Sequence, residues 1–344
     1  MMYDLSGKHV LVTGATGLIG SAVVRRLLEE HCTLRLLTRD PGKAAALARP
    51  GVEICKGDIE DRNSLGPATQ GCEVVFHFAA VVNNFVPLSS YYRVNVTGTR
   101  NLADAALQSG VERFVHASSI AVYGLKQTGQ LCEASPHVRS GDAYPDTKLE
   151  AEDQIRRFIL ERGLPAVIVQ PTQVYGPGDV NFTLRPFRMI RDGRMILFAG
   201  GTGLIMPIYL DDIVDGILAA ARNGRAGETY ILAGPAAITI HDFFGCYARM
   251  LGKDRLPSIP LWLAMTIAAL SEGAAKLLGR KPFFTRDEVR RIERKATWDG
   301  RKAMEELGFK PRINIDEGMR RVEAWLRAVA LREQAEPGET ARSG

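Results

Sequence analysis

The sequence predicts an α/β fold: a doubly wound parallel sheet with a smaller, mainly helical lobe toward the carboxyl end. Short, continuously apolar segments such as residues 10–12 and 166–170 alternate with longer segments of helical periodicity. Such runs are typical of parallel strands that are buried on both faces. The chain has 344 residues, more than a single hydrophobic core usually supports, which predicts the additional lobe.

Composition narrows the class of protein. Hydrophobic residues make up 46% and charged residues 24%, as in soluble globular proteins. The net charge of +5 falls well short of the basic stripe of a nucleic-acid binder, whereas anionic cofactors and membrane surfaces stay open as partners. The five cysteines are scattered and without CxxC spacing, and residues 1–8 contain no signal-peptide core, so we expect a reduced, cytoplasmic protein.

A glycine-rich turn follows the first predicted strand, His9–Thr13, and leads into a helix. Gly14 permits the tight turn, Gly17 lets the backbone approach a pyrophosphate, and Gly20 allows the helix to pack closely on the strand. The amino end of that helix attracts an anion. A glycine turn also occurs in ordinary strand–helix units, but the flanking strand and helix favour a dinucleotide site and hence a Rossmann-type domain.

The end of the second predicted strand, Thr33–Thr38, bears on the choice of dinucleotide. In this type of domain an acid at the strand end holds a ribose 2′-hydroxyl, whereas an arginine accepts a 2′-phosphate. We align Thr38 with the acidic position and Arg39 with the phosphate-binding one, which favours NADP. NAD stays open, because Arg39 also fits a solvated loop and Asp40 reaches the ribose if the strand ends one residue later.

Two later strand ends add candidate contacts to the cofactor. After the third predicted strand, Asp58 is placed to accept the adenine amino group. A fourth strand is predicted over residues 74–80, and its small Ala79 and Ala80 leave room for a cofactor. His77 is interpreted as a packed strand residue, because no second metal-type residue stands at useful spacing, and no metal site is predicted.

Tyr144 and Lys148 lie four residues apart on a predicted helix and therefore point the same way. Pro145 is tolerated only in the first turn of a helix, so Tyr144 stands at its entrance. A phenol with a pKa near 10 becomes a useful acid or base when a cation adjoins it. Ser119 follows the strand Arg113–Ala117, whose carboxyl end faces the ligand crevice. Each feature also occurs by chance, in a solvated helix face or a serine turn, and together they favour a catalytic set.

Together these motifs resemble the extended short-chain dehydrogenase/reductase family, which contains NAD-dependent epimerases and dehydratases. They stand in family order through residue 235, and the segment 256–290 is loosely similar to 3β-hydroxysteroid dehydrogenase-like and dihydroflavonol reductase-like members. The motifs that carry the resemblance are Thr13-Gly14 with Gly17 and Gly20, Gly57-Asp58, His77-Phe78-Ala79-Ala80, Asn95-Val96-Thr97-Gly98-Thr99, Ser118-Ser119, Tyr144 with Lys148, Pro171 to Asp179, and Asp211-Asp212.

The resemblance implies roles for the catalytic set. Ser119 binds the substrate oxygen, Tyr144 exchanges the proton, and Lys148 binds the nicotinamide ribose and lowers the pKa of Tyr144. The expected cofactor-binding residues are Gly14, Thr16, Gly17, Leu18, Ile19, Arg39, Asp58, Ile59, Ala79, Ala80, Tyr144, Lys148, Pro171 and Val174.

The expected function is an NAD(P)-dependent oxidoreductase that interconverts a secondary alcohol and a ketone on a small, apolar, sterol-like or flavonoid-like molecule. A nucleotide-sugar epimerase or dehydratase with retained NAD is the alternative, and a redox-sensing binding protein without catalysis is a third reading. Members of the family often have Arg at Gln170 and His at Tyr209, which leaves the substrate open. A row of arginines either clamps an anionic substrate or is a solvated helix stripe: Arg185, Arg188, Arg191 and Arg194.

The domain organisation is predicted to be discontinuous. Residues 1–170 plus about 208–235 form the dinucleotide domain, residues 171–207 plus 236–330 form the substrate lobe, and 334–344 form a disordered tail. The most apolar tract, 256–282, is too interrupted to span a bilayer and is favoured as a lobe helix over an interfacial helix at a membrane. The expected partner is a small-molecule substrate, and a homodimer is left open.

Overall fold

The computed structural model describes residues 3–82, 86–124, 127–278 and 285–335. In this part of the chain, seven parallel strands form the main sheet in the spatial order β7-β6-β5-β4-β1-β2-β3, which confirms the predicted doubly wound architecture. The strands are β1 (His9–Thr13), β2 (Thr33–Thr38), β3 (Val52–Lys56), β4 (Val74–His77), β5 (Arg113–Ala117), β6 (Ala166–Pro171) and β7 (Thr229–Leu232).

Helices flank this sheet and build much of the remaining chain. The longer ones are α1 (Leu18–Glu29), α2 (Arg62–Thr69), α3 (Thr99–Gln108), α4 (Ala143–Arg162), α5 (Leu210–Asn223), α6 (Ile240–Met250), α7 (Leu261–Leu278) and α8 (Ile315–Ala335). Shorter helical segments are Pro41–Ala44, Ala45–Leu47, Leu88–Tyr91, Tyr92–Gly98, Ile120–Tyr123, Val180–Leu184, Arg185–Arg191, Ala199–Gly201, Arg286–Ile292 and Arg301–Leu307. Short strands are Gly129–Leu131, Gln173–Tyr175, Leu197–Phe198, Leu204–Ile205, Pro207–Tyr209, Ile238–Thr239, Ser258–Ile259 and Ala296–Trp298.

Two inner strands, β4 and β6, are buried along their whole length, which explains their mainly apolar sequences. All four residues of β4 and all six of β6 are buried. β4 ends at His77, so the strand predicted over 74–80 was too long at its carboxyl end. Beyond His77 the Phe78 amide still bonds the Thr13 carbonyl (3.1 Å), and the Ala79 amide turns to the Thr13 hydroxyl (3.3 Å), which takes the chain out of the sheet.

Two compact units divide the chain. The first contains Met1–Thr172, Asp211–Ala233 and Trp298–Pro311, and the second contains Gln173–Leu210, Gly234–Thr297 and Arg312–Gly344. The segment Trp298–Pro311, which the sequence analysis placed in the substrate lobe, thus lies in the first unit. α8 continues through Ala335, so residues 334 and 335 of the expected disordered tail are helical, and 336–344 lie outside the described residues.

The second unit has its own core, built around packed aromatic rings. Tyr175, Phe243 and Tyr247 are almost completely buried. The Phe243 ring meets the rings of Tyr175 and Tyr247 edge to face, with centroids 5.5 and 5.7 Å away. Such edge-to-face pairs add to the hydrophobic stabilisation of a core. The unit is therefore held by a hydrophobic cluster separate from the sheet of the first unit.

Candidate active site in the first unit

A cavity of about 250 Å³ lies at the carboxyl ends of the strands in the first unit. It opens beside β1 and β4, neighbours in the sheet, where the strand order reverses and doubly wound sheets bind ligands. Its walls come from the segments after four strands: Thr13, Gly14, Thr16, Gly17, Leu37, Thr38, Arg39, Gly57, Asp58, Ile59, Phe78, Ala79, Ala80, Val81 and Val94. The predicted Leu18 and Ile19 are half-buried at the start of α1 and are not part of this lining.

The glycine turn forms one wall and has the geometry that the sequence analysis assigned to it. Gly14 has a φ of +69°, and a Cβ there would lie 2.6 Å from the Ala79 amide nitrogen. A Cβ at Gly20 would lie 2.2 Å from the Gly14 carbonyl oxygen, so α1 packs directly on the turn. Gly17 precedes α1 without any side chain to cap its first amides. The glycine turn and the uncapped helix end fit a pyrophosphate.

Gly20→Ala is expected to destabilise the protein by about 1–3 kcal/mol, because the added methyl overpacks the turn and forces α1 away from it. The affinity for the dinucleotide should fall with it. Thermal unfolding and titration with NAD and NADP measure both effects. Gly66→Ala in α2 is the matched control, since a Cβ there meets nothing within 4 Å. The control should be neutral or stabilising by up to about 1 kcal/mol, and equal behaviour of the two variants would contradict the close packing.

His77 is buried and orients the Thr13 hydroxyl of the cavity wall. The Thr13 hydroxyl accepts the Ala79 amide proton (3.3 Å) and lies 2.8 Å from His77 Nδ1, while His77 Nε2 lies 2.8 Å from the Thr99 hydroxyl. Because Thr99 donates its own proton to the Asn95 carbonyl (2.6 Å), it must accept from His77. The ring therefore carries its proton on Nε2, and burial lowers its pKa to about 3. His77 is a packed strand residue, as the sequence predicts.

The two candidate ribose contacts after β2, Arg39 and Asp40, have different surroundings. Thr38 and Arg39 both line the cavity. Asp40 instead caps the helical turn Pro41–Ala44, where its carboxylate accepts the Gly42 amide (3.0 Å). The strand ends at Thr38 as predicted, and Arg39 rather than Asp40 belongs to the cavity lining.

Asp58 and Ile59, two of the expected cofactor contacts, line the cavity after β3. The Asp58 carboxylate accepts the Glu60 amide (3.0 Å), which fixes its orientation. Ile59 is buried, and a Cβ on Gly98 would lie 2.7 Å from its side chain. Gly98 therefore allows the helical segment Tyr92–Gly98 to approach Ile59 closely.

Asn95 joins the cavity wall to the helix that carries Tyr144. Its amide oxygen accepts the Val81 amide (2.7 Å), and its amide nitrogen donates to the Val81 carbonyl (3.1 Å) and the Thr147 hydroxyl (3.0 Å). Asn95 is 1% exposed, so these bonds compensate its full burial. The sequence analysis quoted Asn95 only as part of a motif and missed this bridging role.

Ser119 and Tyr144 come together as predicted. Ser119 precedes the helical turn Ile120–Tyr123, and its hydroxyl accepts the Ala121 amide (3.1 Å). Burial raises the pKa of the Tyr144 phenol, and a hydrogen bond with Ser119 opposes that rise. Tyr144 stands in the first turn of α4, next to Pro145, where the sequence analysis placed it.

Lys148 lies one helical turn after Tyr144 and is 4% exposed. Its ammonium donates to the Ala117 carbonyl (2.5 Å) at the end of β5. Burial lowers the pKa of Lys148 to about 8, and the carboxylate of Glu152 raises it. We expected Lys148 to lower the pKa of Tyr144, but burial dominates the pKa of the phenol, and its bonded partner is Ser119.

A buried polar cluster on the same helix was not predicted. Glu152 is fully buried and accepts from Gln170 Nε2 (3.0 Å) and Arg156 Nη2 (2.8 Å), and Tyr123 donates to Gln170 Oε1 (2.7 Å). The Gln170 side chain thus accepts a hydrogen bond from Tyr123 and donates one to Glu152. An arginine has no acceptor atom and could not accept from Tyr123. This accounts for glutamine where related proteins often have arginine.

The remaining predicted residues, Pro171 and Val174, belong to different units. Pro171 is the last residue of β6 and is buried. Val174 belongs to the strand Gln173–Tyr175 in the second unit. Within the described residues, no group of three or more His, Cys, Asp or Glu side chains is placed to hold a metal ion.

Residues 10–233 match the NAD dependent epimerase/dehydratase family. The match begins in β1 and ends just after β7, so it spans the glycine turn, Ser119, Tyr144 and Lys148. It covers well over half of the chain.

Individual relatives cover more of the chain. It is 32% identical to a putative dihydroflavonol 4-reductase of Synechocystis sp., covering 92% of this chain and 93% of the relative. It is 31% identical to 3beta-hydroxysteroid-dehydrogenase/decarboxylase isoform 1 of Arabidopsis thaliana, covering 78% and 66%. Among solved structures, a double mutant of the dTDP-glucose 4,6-dehydratase DesIV of Streptomyces venezuelae, with NAD and DAU bound, is 26% identical over 92% and 96% of the two chains, with a TM-score of 0.76.

The sheet order, the glycine turn and the set of Ser119, Tyr144 and Lys148 agree with these likenesses. The chain therefore belongs to the NAD-dependent epimerase/dehydratase family of extended short-chain dehydrogenase/reductases.

Proposed function

We propose that the protein is an NAD(P)-dependent oxidoreductase that interconverts a secondary alcohol and a ketone on a small, apolar molecule. The observation that carries the proposal is the surroundings of the Tyr144 phenol. Ser119 bonds it, Lys148 follows one turn later, and the groups that act on its pKa among the described residues are Ser119 and Tyr91, neither of them acidic. Such a site is suited to moving one proton at one oxygen.

Alcohol oxidation removes a hydride from carbon and a proton from oxygen. When bound, the nicotinamide ring supplies the hydride acceptor, or the donor in the reverse direction. Tyr144 takes the proton from the hydroxyl or returns it to the ketone oxygen, and Ser119 holds that oxygen by a hydrogen bond. Lys148 keeps the other role that the resemblance implies for it, which is to bind the nicotinamide ribose.

The alternative is a nucleotide-sugar epimerase or dehydratase with retained NAD, and the likeness to DesIV favours it. Dehydration also needs an acid for the leaving hydroxyl and a base for a carbon-bound proton. Asp146, two residues after Tyr144, is occupied by the amides of Ser140 (2.7 Å) and Gly141 (3.1 Å), and no carboxylate is among the groups that shift the pKa of Tyr144. This supports the oxidoreductase over the dehydratase. A non-catalytic redox sensor is the least supported, because it has no need of Ser119, Tyr144 and Lys148.

An apolar substrate is supported by two of the relatives, whose names state a dihydroflavonol and a 3beta-hydroxysteroid. The row of arginines that the sequence analysis weighed as an anion clamp is exposed in the second unit. Two of them, Arg191 and Arg194, contact the Asp192 carboxylate at 3.0 and 2.8 Å. They fit a solvated stripe better than an anion clamp.

The test begins with the nucleotide carried by the purified protein. Sterols, flavonoid ketones and UDP- and dTDP-sugars are then screened with NAD and with NADP. Net formation or loss of reduced nicotinamide with an apolar alcohol or ketone is the expected result. Conversion of a nucleotide sugar with no net change in reduced nicotinamide would show that the oxidoreductase proposal is wrong.

We further propose NADP as the preferred cofactor, because Arg39 lines the cavity while Asp40 is engaged elsewhere. Arg39→Ala should raise the Kd for NADP about 10- to 100-fold, the size of a lost charge-assisted contact, and leave the Kd for NAD within about twofold. Calorimetric titration measures both constants. Arg49→Ala, at an exposed arginine outside the cavity lining, is the control. An equal loss of both affinities, or of neither, would refute the role of Arg39.

A further inference from the structure

The helix α7 of the second unit exposes large apolar side chains and buries small ones, which is unusual for a surface helix. The residues it turns inward are small: Ala264 and Ala268 are fully buried, and Ala275 is 7% exposed. Ala264 and Ala268 pack in a small cluster with Val289. The large side chain of Trp262 points outward instead, with 69% of its surface exposed.

The outer face of α7 is apolar along its described length. Leu270, two turns after Trp262, is also 69% exposed, and Leu261 and Ile267 are exposed as well. Thr266 is the polar residue of this face, and it donates its proton to the Trp262 carbonyl (2.8 Å). A helix that is apolar all round is ordinarily buried, and contiguous exposed apolar surface marks an interaction site.

The one carboxylate of α7, Glu272, is held away from this outer face. It accepts from the backbone amide and the guanidinium of Arg286, both at 2.8 Å, and it is half-buried. The outward positions from Leu261 to Ala275 carry no charged side chain in the described structure. The helix is therefore suited to an apolar medium on its outer side.

The sequence around α7 is strongly basic. Residues 255–295 contain nine lysines and arginines against four acids, a net charge of +5. The whole chain also has a net charge of +5, so the remaining residues are electrically neutral in sum. The positive charge of the protein is thus concentrated in the segment that contains the apolar face.

We propose that α7 binds to the surface of an anionic lipid bilayer, with Trp262 and Leu270 in the acyl boundary, where the net positive charge of the sequence 255–295 favours anionic headgroups. An amphipathic arrangement of apolar and basic residues of this kind lies in the plane of the interface. Among the described residues, no helix is long and apolar enough to cross a membrane, which agrees with binding at the surface. A second copy of the chain is disfavoured as the occupant, because pairing on α7 brings two basic segments together.

The test uses the full chain and sedimentation with vesicles. Wild-type protein should bind vesicles of phosphatidylcholine with one third phosphatidylglycerol, and bind weakly to pure phosphatidylcholine or in about 0.5 M NaCl. The double variant Trp262→Ser/Leu270→Ser should lower the partition coefficient about tenfold or more. Leu160→Ser is the control, since Leu160 is an 85% exposed leucine of the first unit, and it should bind like wild type.

Two results would overturn the proposal. The first is equal binding by the double variant and wild type, with circular dichroism showing both folded. The second is absence of binding by wild type, together with a dimer in light scattering that the double variant turns into a monomer. That outcome would assign the face to a second copy of the chain.

Discussion

Tyr144→Phe should lower kcat by about 10²–10⁴-fold while leaving dinucleotide affinity within about threefold, because the change removes one proton-transferring oxygen and keeps the ring. The loss should appear in both reaction directions, since the same phenol gives and takes the proton. The structure makes this a clean substitution: Tyr144 is in the first turn of α4, and its described hydrogen bond is with Ser119. Steady-state rates with the substrate found in the screen, and cofactor titration, measure the two quantities.

The control for this variant is Tyr3→Phe, which also removes one phenolic oxygen. Tyr3 bonds the Glu112 carboxylate (2.6 Å) and lies outside the cavity lining, so its loss should leave kcat unchanged. If Tyr144→Phe retains turnover with a folded, cofactor-binding protein, the proton is moved by another group. Loss of cofactor binding in that variant would instead assign Tyr144 to the cofactor site.

Lys148→Met should abolish activity and at the same time stabilise the apoprotein by about 1–3 kcal/mol near neutral pH. Burial lowers the pKa of Lys148 to about 8, below its ordinary value of 10.5, so its charge opposes folding. The hydrogen bond to the Ala117 carbonyl offsets part of the cost of burying the charge. The expected gain in stability is therefore smaller than the free energy that corresponds to the whole pKa shift. Methionine fills a similar volume without a charge. Activity should fall because the nicotinamide ribose then lacks its expected ammonium partner.

The stability difference between Lys148→Met and wild type should depend on pH. Below pH 8 the lysine is charged in both the folded and the unfolded chain, so the stability advantage of Lys148→Met is fully present there. Between pH 8 and 10.5 the folded protein releases the proton first, wild type gains stability, and the advantage shrinks. Urea unfolding at a series of pH values measures the difference. Lys43→Met, at an exposed lysine, should show no such trend, and a variant less stable than wild type at pH 7 would contradict the argument.

The glycine turn shows what could be predicted from local sequence. Its three roles follow from neighbours within seven residues, and the structure reproduces the tight turn at Gly14 and the close packing at Gly20. Tyr144 and Lys148 likewise share a helix, so their common direction follows from helical geometry. The strand ends at His77 and Thr38 depended on where the chain leaves the sheet, and of these the sequence located only Thr38 correctly.

The hydrogen-bond partners of Asn95 and Glu152 lie in distant parts of the sequence. Asn95 reaches Val81 and Thr147, and Glu152 reaches Gln170, across 14 to 52 positions of sequence. Hydrogen bonds of this kind satisfy polar groups that the fold has already buried. Their pairing therefore depends on which segments the sheet brings together.

The sequence by itself determined the parallel sheet, the dinucleotide turn and the residues suited to proton transfer, because each depends on periodicity or short spacing. Only the tertiary structure decided that Asp40 caps a helical turn while Arg39 lines the cavity, and that α7 buries Ala264 and Ala268 and exposes Trp262. An apolar helix has the same composition whichever face it buries. The choice of face is made by the elements packed against it, and these are distant in sequence.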